Sequence, residues 1–497
     1  MDLPAPAPER GYVRPPSNTG VDQPHTRQFV VGPKPSLVKE HWKLLKLDDE
    51  LWLSYCPKLT VRSAVNVEGK RVTLIGVPIE CRAERPRPEI ALERLKVDTF
   101  REITYSWSSR WCIIIGQEII TDVGSLMAVF YPKPSTHKER EFYVSSSQKL
   151  LSRFYDLSWD DSNTPYAPAT YSPQLLCLLP DQRLDLKYGN VENPTYPYLD
   201  LVQETEAHLR EQVASLLTVF MREVYRIEQQ PVHISLSGGA DSRRNLAAAL
   251  AAKSPTRPFT MRKAYWKMSD ADLSMPKRVC QEAGLDLLTI DARNRSPIRA
   301  KEQTYEEQTA FRKSMYPGET YFYHVTGCWD ELPSDACFID GQAYELVSNY
   351  YYREKAPFAT IEEMLGWGFR APPDTRGETL RYAEQVRHNG GSFLDLRDFA
   401  FLLANMPVYG HMYQFLDMRF HVYCPVNCRM TYSLSQSVGE ARRQDKKFFL
   451  SITDLLEPRF RSLPTNPPDN IVKRTLPRIR SKARRFRSKY LSRTQKR

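Results

Sequence analysis

The residues with the clearest capacity for chemistry lie at 235–242, which read Ser-Leu-Ser-Gly-Gly-Ala-Asp-Ser. The apolar run at 232–236 is typical of a short buried strand, and 245–253 is rich in strong helix formers. The glycines therefore lie at a predicted strand-to-helix junction. Phosphates bind at such junctions because the first helical turn has N–H groups without internal partners and carries the positive end of the helix dipole.

The polar residues of this loop have separate expected roles. Gly238 and Gly239 allow the backbone to approach phosphate oxygens, since no Cβ intervenes. The serines add hydroxyl donors, and Asp241 contacts phosphate only through a cation, which predicts Mg²⁺. Neither the Walker pattern nor Gly-x-Gly-x-x-Gly is present here. The predicted ATP-binding residues of the loop are Ser235, Ser237, Gly238, Gly239, Asp241 and Ser242.

The sequence Ser-Gly-Gly-Ala-Asp-Ser resembles the PP-loop of the N-type ATP pyrophosphatases, which split ATP between the α and β phosphates and adenylate a substrate. The alternative interpretation is a chance Gly-Gly turn before a helix. The strand before the loop and the helix after it favour the PP-loop. The resemblance implies ATP and Mg²⁺ as cofactors and an α/β domain of the adenine nucleotide alpha-hydrolase-like type with a helical C-terminal part.

The chain before the loop has a different character, with short strand-like runs separated by turns from 51 to about 196. Residues 111–131 and 142–147 resemble the strand pair and turn of the glutaminase domain of asparagine synthetases. This likeness implies an α+β, Ntn-hydrolase-like N-terminal domain. That family uses a cysteine at position two, whereas this chain begins Met1-Asp2 and has no cysteine before Cys56, so we predict no glutaminase activity.

The chain is predicted to have four parts, of which composition indicates the two ends and the family resemblance implies the two domains between them. The formal net charge is +11, but residues 473–497 contain 12 Lys and Arg and no acidic residue, so the basicity belongs to the tail. Such a tail is typical of a solvated arm, with contact to RNA, membrane lipid or an acidic partner as alternatives. The predicted parts are a disordered Pro-rich arm (1–37), a degenerate glutaminase-like domain (38–198), an asparagine-synthetase-like ATP pyrophosphatase domain (199–468) and a basic disordered tail (469–497).

The same resemblance assigns residues outside the loop. Met261 ends a strand that lies beside the adenine in the family. Asp340 and Glu345 fall in a second glycine- and acid-rich segment and are the further predicted metal ligands, although Tyr344 stands where many members have an aspartate.

Three residues are predicted to be catalytic. Lys446 or Lys447 would supply positive charge to the phosphates, with a solvated helix face as the alternative. Glu345 is one candidate general base, and Tyr344 and residues 350–352 are the others.

The resemblance as a whole covers about residues 50–465. It implies an ATP-dependent, AMP-forming carbon–nitrogen ligase that adenylates a small-molecule or peptide carboxylate, releases pyrophosphate and forms an amide with an amine or ammonia. Two other functions stay open. One is a catalytically weakened nucleotide-binding scaffold, and the other is a PP-loop tRNA-modifying enzyme, against which the absence of paired cysteines counts.

Other features bound the location and the cofactors. No signal peptide or membrane-spanning apolar run is apparent, and the 9 cysteines are scattered without a Cys-x-x-Cys pair. This pattern predicts reduced thiols in a cytoplasmic protein without a membrane span. Cys424 and Cys428 are the closest pair, and the absence of a nearby His or Cys cluster favours packing over zinc binding.

Overall fold

The computed structural model describes residues 25–137, 141–159, 170–193, 199–262, 270–291, 331–348, 380–382, 384, 402, 406–438, 442 and 447–465. Over these residues the first half of the chain forms antiparallel strands, and the second half forms parallel strands with helices. The prediction of a mixed α/β chain, β-rich before α/β, is therefore confirmed at this level. The Ntn-hydrolase-like assignment stays a prediction.

The N-terminal half contributes two six-stranded sheets, ordered β10-β8-β9-β1-β3-β2 and β12-β11-β7-β6-β5-β4, with every pair antiparallel. The strands are β1 (Phe29–Gly32), β2 (Lys43–Lys46), β3 (Trp52–Tyr55), β4 (Val61–Val65), β5 (Arg71–Glu80), β6 (Trp107–Ile115), β7 (Glu118–Thr121), β8 (Phe130–Pro132), β9 (Val144–Ser145), β10 (Leu175–Cys177), β11 (Arg183–Asp185) and β12 (Val191–Glu192). Four short helices accompany them: α1 (Pro88–Ala91), α2 (Phe100–Ile103), α3 (Pro134–His137) and α4 (Gln148–Leu151).

The two antiparallel sheets pack face to face because alternate residues of their strands are apolar. Phe29 and Val31 of β1 share one buried core with Cys112 and Ile114 of β6. The intervening residues of β6 point to the opposite face, where Phe100 of α2 packs against them. Both faces of β6 are buried, which explains why the apolar run at 111–115 does not alternate with polar residues.

The predicted disordered arm at 1–37 is wrong for its last part. The strand Phe29–Gly32 is buried along its whole length and pairs with Trp52–Tyr55 on one side and Val144–Ser145 on the other. The surrounding prolines and polar residues suggested an irregular segment, but the apolar run of β1 is long enough for a central strand, and pairing on both edges stabilises it. Residues 1–24 of the arm and the tail from 469 onward lie outside the described residues.

The second half forms a five-stranded, wholly parallel sheet in the order β15-β14-β13-β16-β17. Its strands are β13 (Val232–Ser235), β14 (Thr256–Arg262), β15 (Leu288–Asp291), β16 (Cys337–Ile339) and β17 (His421–Tyr423). The helices are α5 (Glu206–Glu228), α6 (Ala240–Ala251), α7 (Asp270–Ala283), α8 (Tyr344–Ser348), α9 (Met406–Asp417), α10 (Arg429–Gln436) and α11 (Lys447–Leu456). None of the helices in the described ranges is long and apolar enough to cross a membrane.

The strand order reverses at β13. From this central strand the chain first builds outward through β14 and β15, and it later returns to the other side of β13 to form β16 and β17. The connections that follow β13 and β16 therefore leave in opposite directions, and in open α/β sheets such a divergence forms a crevice at the carboxyl edge. In open α/β sheets this reversal point is the usual place for a ligand.

Polar contacts buried between the two halves hold them together. Both guanidinium NH₂ groups of Arg110 donate to the two carboxylate oxygens of Asp417 at 2.7 Å each.

Gly410 of α9 lies so close to the turn after β7 that a Cβ there would be 2.7 Å from the backbone oxygens of Ser125 and Leu126. Only glycine fits this approach without a shift in the backbone.

The turn after β7 centres on Asp122, whose carboxylate is fully buried and accepts five hydrogen bonds. One donor is the side-chain amide of Asn427 at 2.7 Å, from the other half of the chain. The remaining donors are the backbone N–H groups of Trp111, Gly124, Leu126 and Met127.

Candidate functional site

The loop predicted to bind phosphate joins the central strand β13 to helix α6. Val232 and Ile234 are buried beneath it, while Ser237 is exposed, so the apolar strand fixes the base of the loop and leaves its tip in solvent. The residue before the helix is Gly239, which has no side chain to cap the first N–H groups. The positive end of α6 consequently faces the crevice without a capping oxygen from its N-cap residue.

Ser237 and Ser242 bond to each other across the loop. The Ser242 hydroxyl accepts from the backbone N–H of Ser237 at 3.0 Å, and the two hydroxyls lie 3.1 Å apart. The Ser237 hydroxyl also accepts from the N–H of Gly239 at 3.2 Å. Both serines were predicted as phosphate donors, and the structure shows that they also set the shape of the loop.

Asp241 lies in the first turn of α6 and faces Arg244 one turn further on. Its carboxylate oxygen is 3.5 Å from the Arg244 guanidinium, and its side chain is 45% exposed, whereas that of Arg244 is 1% exposed. Arg244 also donates to the backbone oxygen of Phe449 at 3.0 Å and lies over the ring of Tyr344 at 4.8 Å. Arg244 was not among the predicted site residues, although the spacing of three residues after an aspartate on a helix indicates such a pair.

The connection after β16 lies beside the first turns of α6. The side-chain amide of Asn245 donates to the backbone oxygen of Asp340 at 3.3 Å, and its carbonyl accepts from the Tyr344 hydroxyl at 2.7 Å. The structure thus brings together two segments about a hundred residues apart that the sequence analysis singled out separately. Asn245 joins them, and the local sequence carried no signal for it.

Asp340 is engaged by neighbours on both oxygens. The Tyr413 hydroxyl donates to one at 2.6 Å, and the N–H of Gly341 donates to the other at 2.7 Å. Burial raises the pKa of Asp340, and the hydrogen bonds from Tyr413 and Gly341 act against that rise. As a metal ligand, this carboxylate would have to share its oxygens with these donors.

The remaining predicted site residues differ in how well their positions suit their predicted roles. Tyr344 is buried, burial raises its pKa, and its hydroxyl donates to Asn245, so it is poorly suited as a general base. Met261 is the penultimate residue of β14 and lies at the same edge of the sheet as the loop. Lys447 is exposed at the start of α11, a helix that packs on α6.

The side chains of two predicted catalytic residues are not among those that the structure describes. Lys446 and residues 350–352 lie outside the described residues. Glu345 belongs to α8, directly after Tyr344, but its side chain is outside the described part of the structure.

The crevice has oxygen donors that suit Mg²⁺, although the described part of the chain contains no group of three or more His, Cys, Asp and Glu side chains placed to hold a metal ion. Magnesium prefers oxygen ligands and commonly takes one or two carboxylates together with phosphate oxygens and water. Asp241, half-exposed beside the loop, fits that description. Asp340 is the second predicted ligand, and its backbone oxygen accepts from Asn245, which lies one turn after Asp241 on α6.

No protein family matches the chain, and no curated protein matches it. Among solved structures, part of the chain aligns with the glutamine-dependent NAD⁺ synthetase of Acinetobacter baumannii in complex with ADP, at 16% identity and a TM-score of 0.19 over 36% of this chain and 33% of that one. The NH₃-dependent NAD synthetase of Campylobacter jejuni subsp. jejuni aligns at 16% identity and a TM-score of 0.21, over 40% of this chain and 92% of that one. The chain spans about a third of the length of the first of these proteins. Similarity at this level carries no argument about fold or function.

Proposed function

We propose that this protein is an ATP-dependent, AMP-forming ligase of the asparagine synthetase type, which adenylates a carboxylate and passes it to an amine or ammonia to form an amide. The observation that carries the proposal is the position of the Gly238–Gly239 loop. It lies at the carboxyl end of the central parallel strand, at the start of α6 and at the point where the strand order reverses. Each of these features by itself favours phosphate binding, and here they coincide.

The loop residues would bind and orient the phosphates. The glycines let the backbone N–H groups approach the oxygens, and the Ser237–Ser242 pair holds the loop in its turn. Asp241 would hold Mg²⁺, which neutralises charge on the departing pyrophosphate when it is bound. Arg244, packed between Phe449 and Tyr344, restricts the orientation of the Asp241 carboxylate and leaves its outer side in solvent.

The lysines near the start of α11 would complete the charge around the phosphates. Lys447 begins the helix that packs on α6, and its amine would stabilise the negative charge that develops as the α-phosphorus is attacked. The proposal includes no glutaminase step. The nitrogen would come from free ammonia, from another protein or from the substrate itself.

The test is an analysis of nucleotide products. Purified protein is incubated with Mg-ATP and a small-molecule extract of its host, and wild type is compared with Asp241→Asn. The matched control is Asp49→Asn, because Asp49 is 99% exposed in the N-terminal half and changes the charge equally. We expect AMP and pyrophosphate from wild type and the control but not from Asp241→Asn. Formation of ADP, or full AMP formation by Asp241→Asn, would overturn the assignment.

A second candidate is a nucleotide-binding scaffold with weak or no turnover. The observation in its favour is that both acidic groups of the crevice are already engaged, Asp241 by Arg244 and Asp340 by Tyr413, while Tyr344 stands where a carboxylate is expected. Equilibrium binding separates the two candidates. ATP bound with wild-type affinity but never cleaved, with every extract and peptide pool tried, would favour the scaffold.

A further inference from the structure

A second cavity lies away from the crevice, on the seam between the N-terminal sheets and helix α5. It encloses about 160 Å³ between the segment 78–89, which continues from β5, and the C-terminal half of α5. Five arginines line it, three from the segment and two from the helix: Arg82, Arg85, Arg87, Arg222 and Arg226. None of these arginines is among the residues predicted to bind ATP, to hold metal or to act in catalysis.

The carboxylates that line the cavity are mostly occupied. Glu223 pairs with Arg226 at 2.7 Å, and Glu89 pairs at 2.7 Å with Arg62, which is not a lining residue. Glu80 is buried beneath the cavity, where its oxygen accepts from the Ser106 hydroxyl and from the backbone N–H of Arg82. Burial raises the pKa of Glu80, while the hydrogen bonds from Ser106 and Arg82 and the nearby charges of Arg82 and Arg85 act against that rise.

In the described part of the chain, three of the guanidinium groups, those of Arg82, Arg85 and Arg222, form no close ion pair, whereas Arg87 and Arg226 pair with Glu223. Arg82 donates to the neutral Ser106 hydroxyl at 3.0 Å, which holds its side chain in place. Arg85 and Arg222 are exposed, and over the described residues no carboxylate lies within ion-pair distance of either. Like charges gathered around one cavity repel each other, and an anion bound between them would remove that repulsion.

The chemistry and the size of the cavity select the kind of anion. The planar guanidinium fork matches the oxygens of a phosphate group in a bidentate way, and two such forks on opposite walls match two phosphate groups. A single water needs only about 10–15 Å³ of such space, so the cavity has room for a small polyatomic ion. We propose that this cavity binds a diphosphate group, held between Arg82 and Arg85 of the N-terminal segment and Arg222 of α5.

Such a ligand would join the two halves of the chain. Helix α5 ends at Glu228, and the next strand, β13, leads directly into the Gly238–Gly239 loop. A diphosphate that bridges the segment 78–89 and α5 would therefore restrict the movement of α5, the helix that precedes the candidate nucleotide site. The cavity and the crevice have no lining residue in common, so the two sites can be tested apart.

The test is calorimetric titration of the full chain with inorganic pyrophosphate in the absence of ATP. We expect binding that weakens as NaCl is raised, and a loss of affinity of about tenfold or more in Arg85→Gln/Arg222→Gln, because charge-assisted hydrogen bonds are removed. The matched control, Arg71→Gln/Arg94→Gln, removes two exposed arginines of the N-terminal half that do not line the cavity, and it should bind as wild type does. A parallel titration with a nucleoside diphosphate shows whether the group is accepted free or as an ester.

Pyrophosphate could instead bind at the Gly238–Gly239 loop, so a third variant separates the sites. Gly239→Val blocks that loop, and we expect it to retain the cavity binding that Arg85→Gln/Arg222→Gln loses. Loss of binding in Gly239→Val with retention in the double arginine variant would overturn the cavity proposal while supporting the loop. Absence of binding to wild type would also overturn it and would leave the ligase proposal to the product analysis.

Discussion

Two turns in this molecule have similar ingredients and opposite uses. Each follows a short apolar strand, and each combines an aspartate with glycine: Asp122 with Gly124 after β7, and Asp241 with Gly239 after β13. Asp122 is fully buried and accepts five hydrogen bonds, one of them from the other half of the chain. Asp241 is half-exposed with Arg244 beside it at 3.5 Å.

The difference between the two turns lies in where their polar groups are directed. Around Asp122 the backbone N–H groups converge inward on a carboxylate of the chain itself, so the turn binds its own anion. Around Asp241 the glycines and the start of α6 face solvent, where an anion from outside can approach. The same residue types thus close one turn and leave the other open.

Removing each aspartate is the strongest way to break the comparison. Asp122→Ala leaves several buried N–H groups without an acceptor, and we expect a loss of about 5 kcal/mol in the free energy of unfolding. Asp241→Ala should change that free energy by less than about 1 kcal/mol, because the Asp241–Arg244 ion pair is long, at 3.5 Å, and the carboxylate is half-exposed. Urea unfolding measures both. Equal losses in the two variants would show that the turns do not differ as described.

The buried ion pair between Arg110 and Asp417 gives a second test of whether buried charged groups depend on partners from the other half of the chain. Asp417→Ala leaves the Arg110 guanidinium buried without its partner, and we expect a loss of about 3–4 kcal/mol. The double variant Arg110→Met/Asp417→Leu should recover part of that loss, because it removes the unpaired charge as well. Asp49→Ala at the surface serves as the control and should unfold as wild type does. A double variant no more stable than Asp417→Ala would contradict this account.

A change of pH probes which buried groups must take up protons on unfolding. Burial lowers the pKa of His25 to about 3, from an ordinary value of 6.5, and it also lowers the pKa of His421. At these two histidines the unfolded chain therefore binds more protons than the folded one below about pH 6.5, so their contribution to stability falls as the pH falls. We expect His25 to account for a decrease of about 2 kcal/mol between pH 6.5 and about pH 5. Thermal unfolding across this range should have a shallower slope in His25→Asn, and an unchanged slope would contradict the assignment.

The smallest expected effect concerns the basic tail. Deletion of residues 473–497 should leave the rate of AMP formation nearly unchanged, because the proposed phosphate-binding groups lie around the start of α6 and not in the tail. The rate is measured with saturating Mg-ATP at physiological salt. A large loss would instead implicate the tail in capturing the substrate.

Local sequence predicted many elements of the fold well. The strand at 118–121 has the predicted limits, and the predicted strand at 71–77 continues to Glu80 in β5. Apolar periodicity and turn residues carry this information because they depend on near neighbours. The strand β1 was missed because its stability comes from β3 and β9, which follow it in the sequence.

The candidate site was predictable to a lesser extent. The loop at 235–242 could be recognised from its own residues, and Asp340 from a resemblance. The partners that decide how the acidic groups behave, Tyr413 for Asp340 and Asn245 between the two segments, lie 73 and 95 residues away from Asp340. No pattern in a single sequence specifies such pairings, because they arise only when the parallel sheet assembles.

The hydrogen bond between Asp122 and Asn427 has a consequence for folding during synthesis on the ribosome. Its two residues are separated by 305 positions. At a synthesis rate of about 5–20 residues per second, Asp122 emerges roughly 15–60 seconds before the amide that completes its shell. Over that interval the Asp122 carboxylate of the nascent N-terminal half lacks its hydrogen bond from Asn427. We expect a nascent chain arrested before Asn427 to be cleaved by added protease more readily than the completed chain.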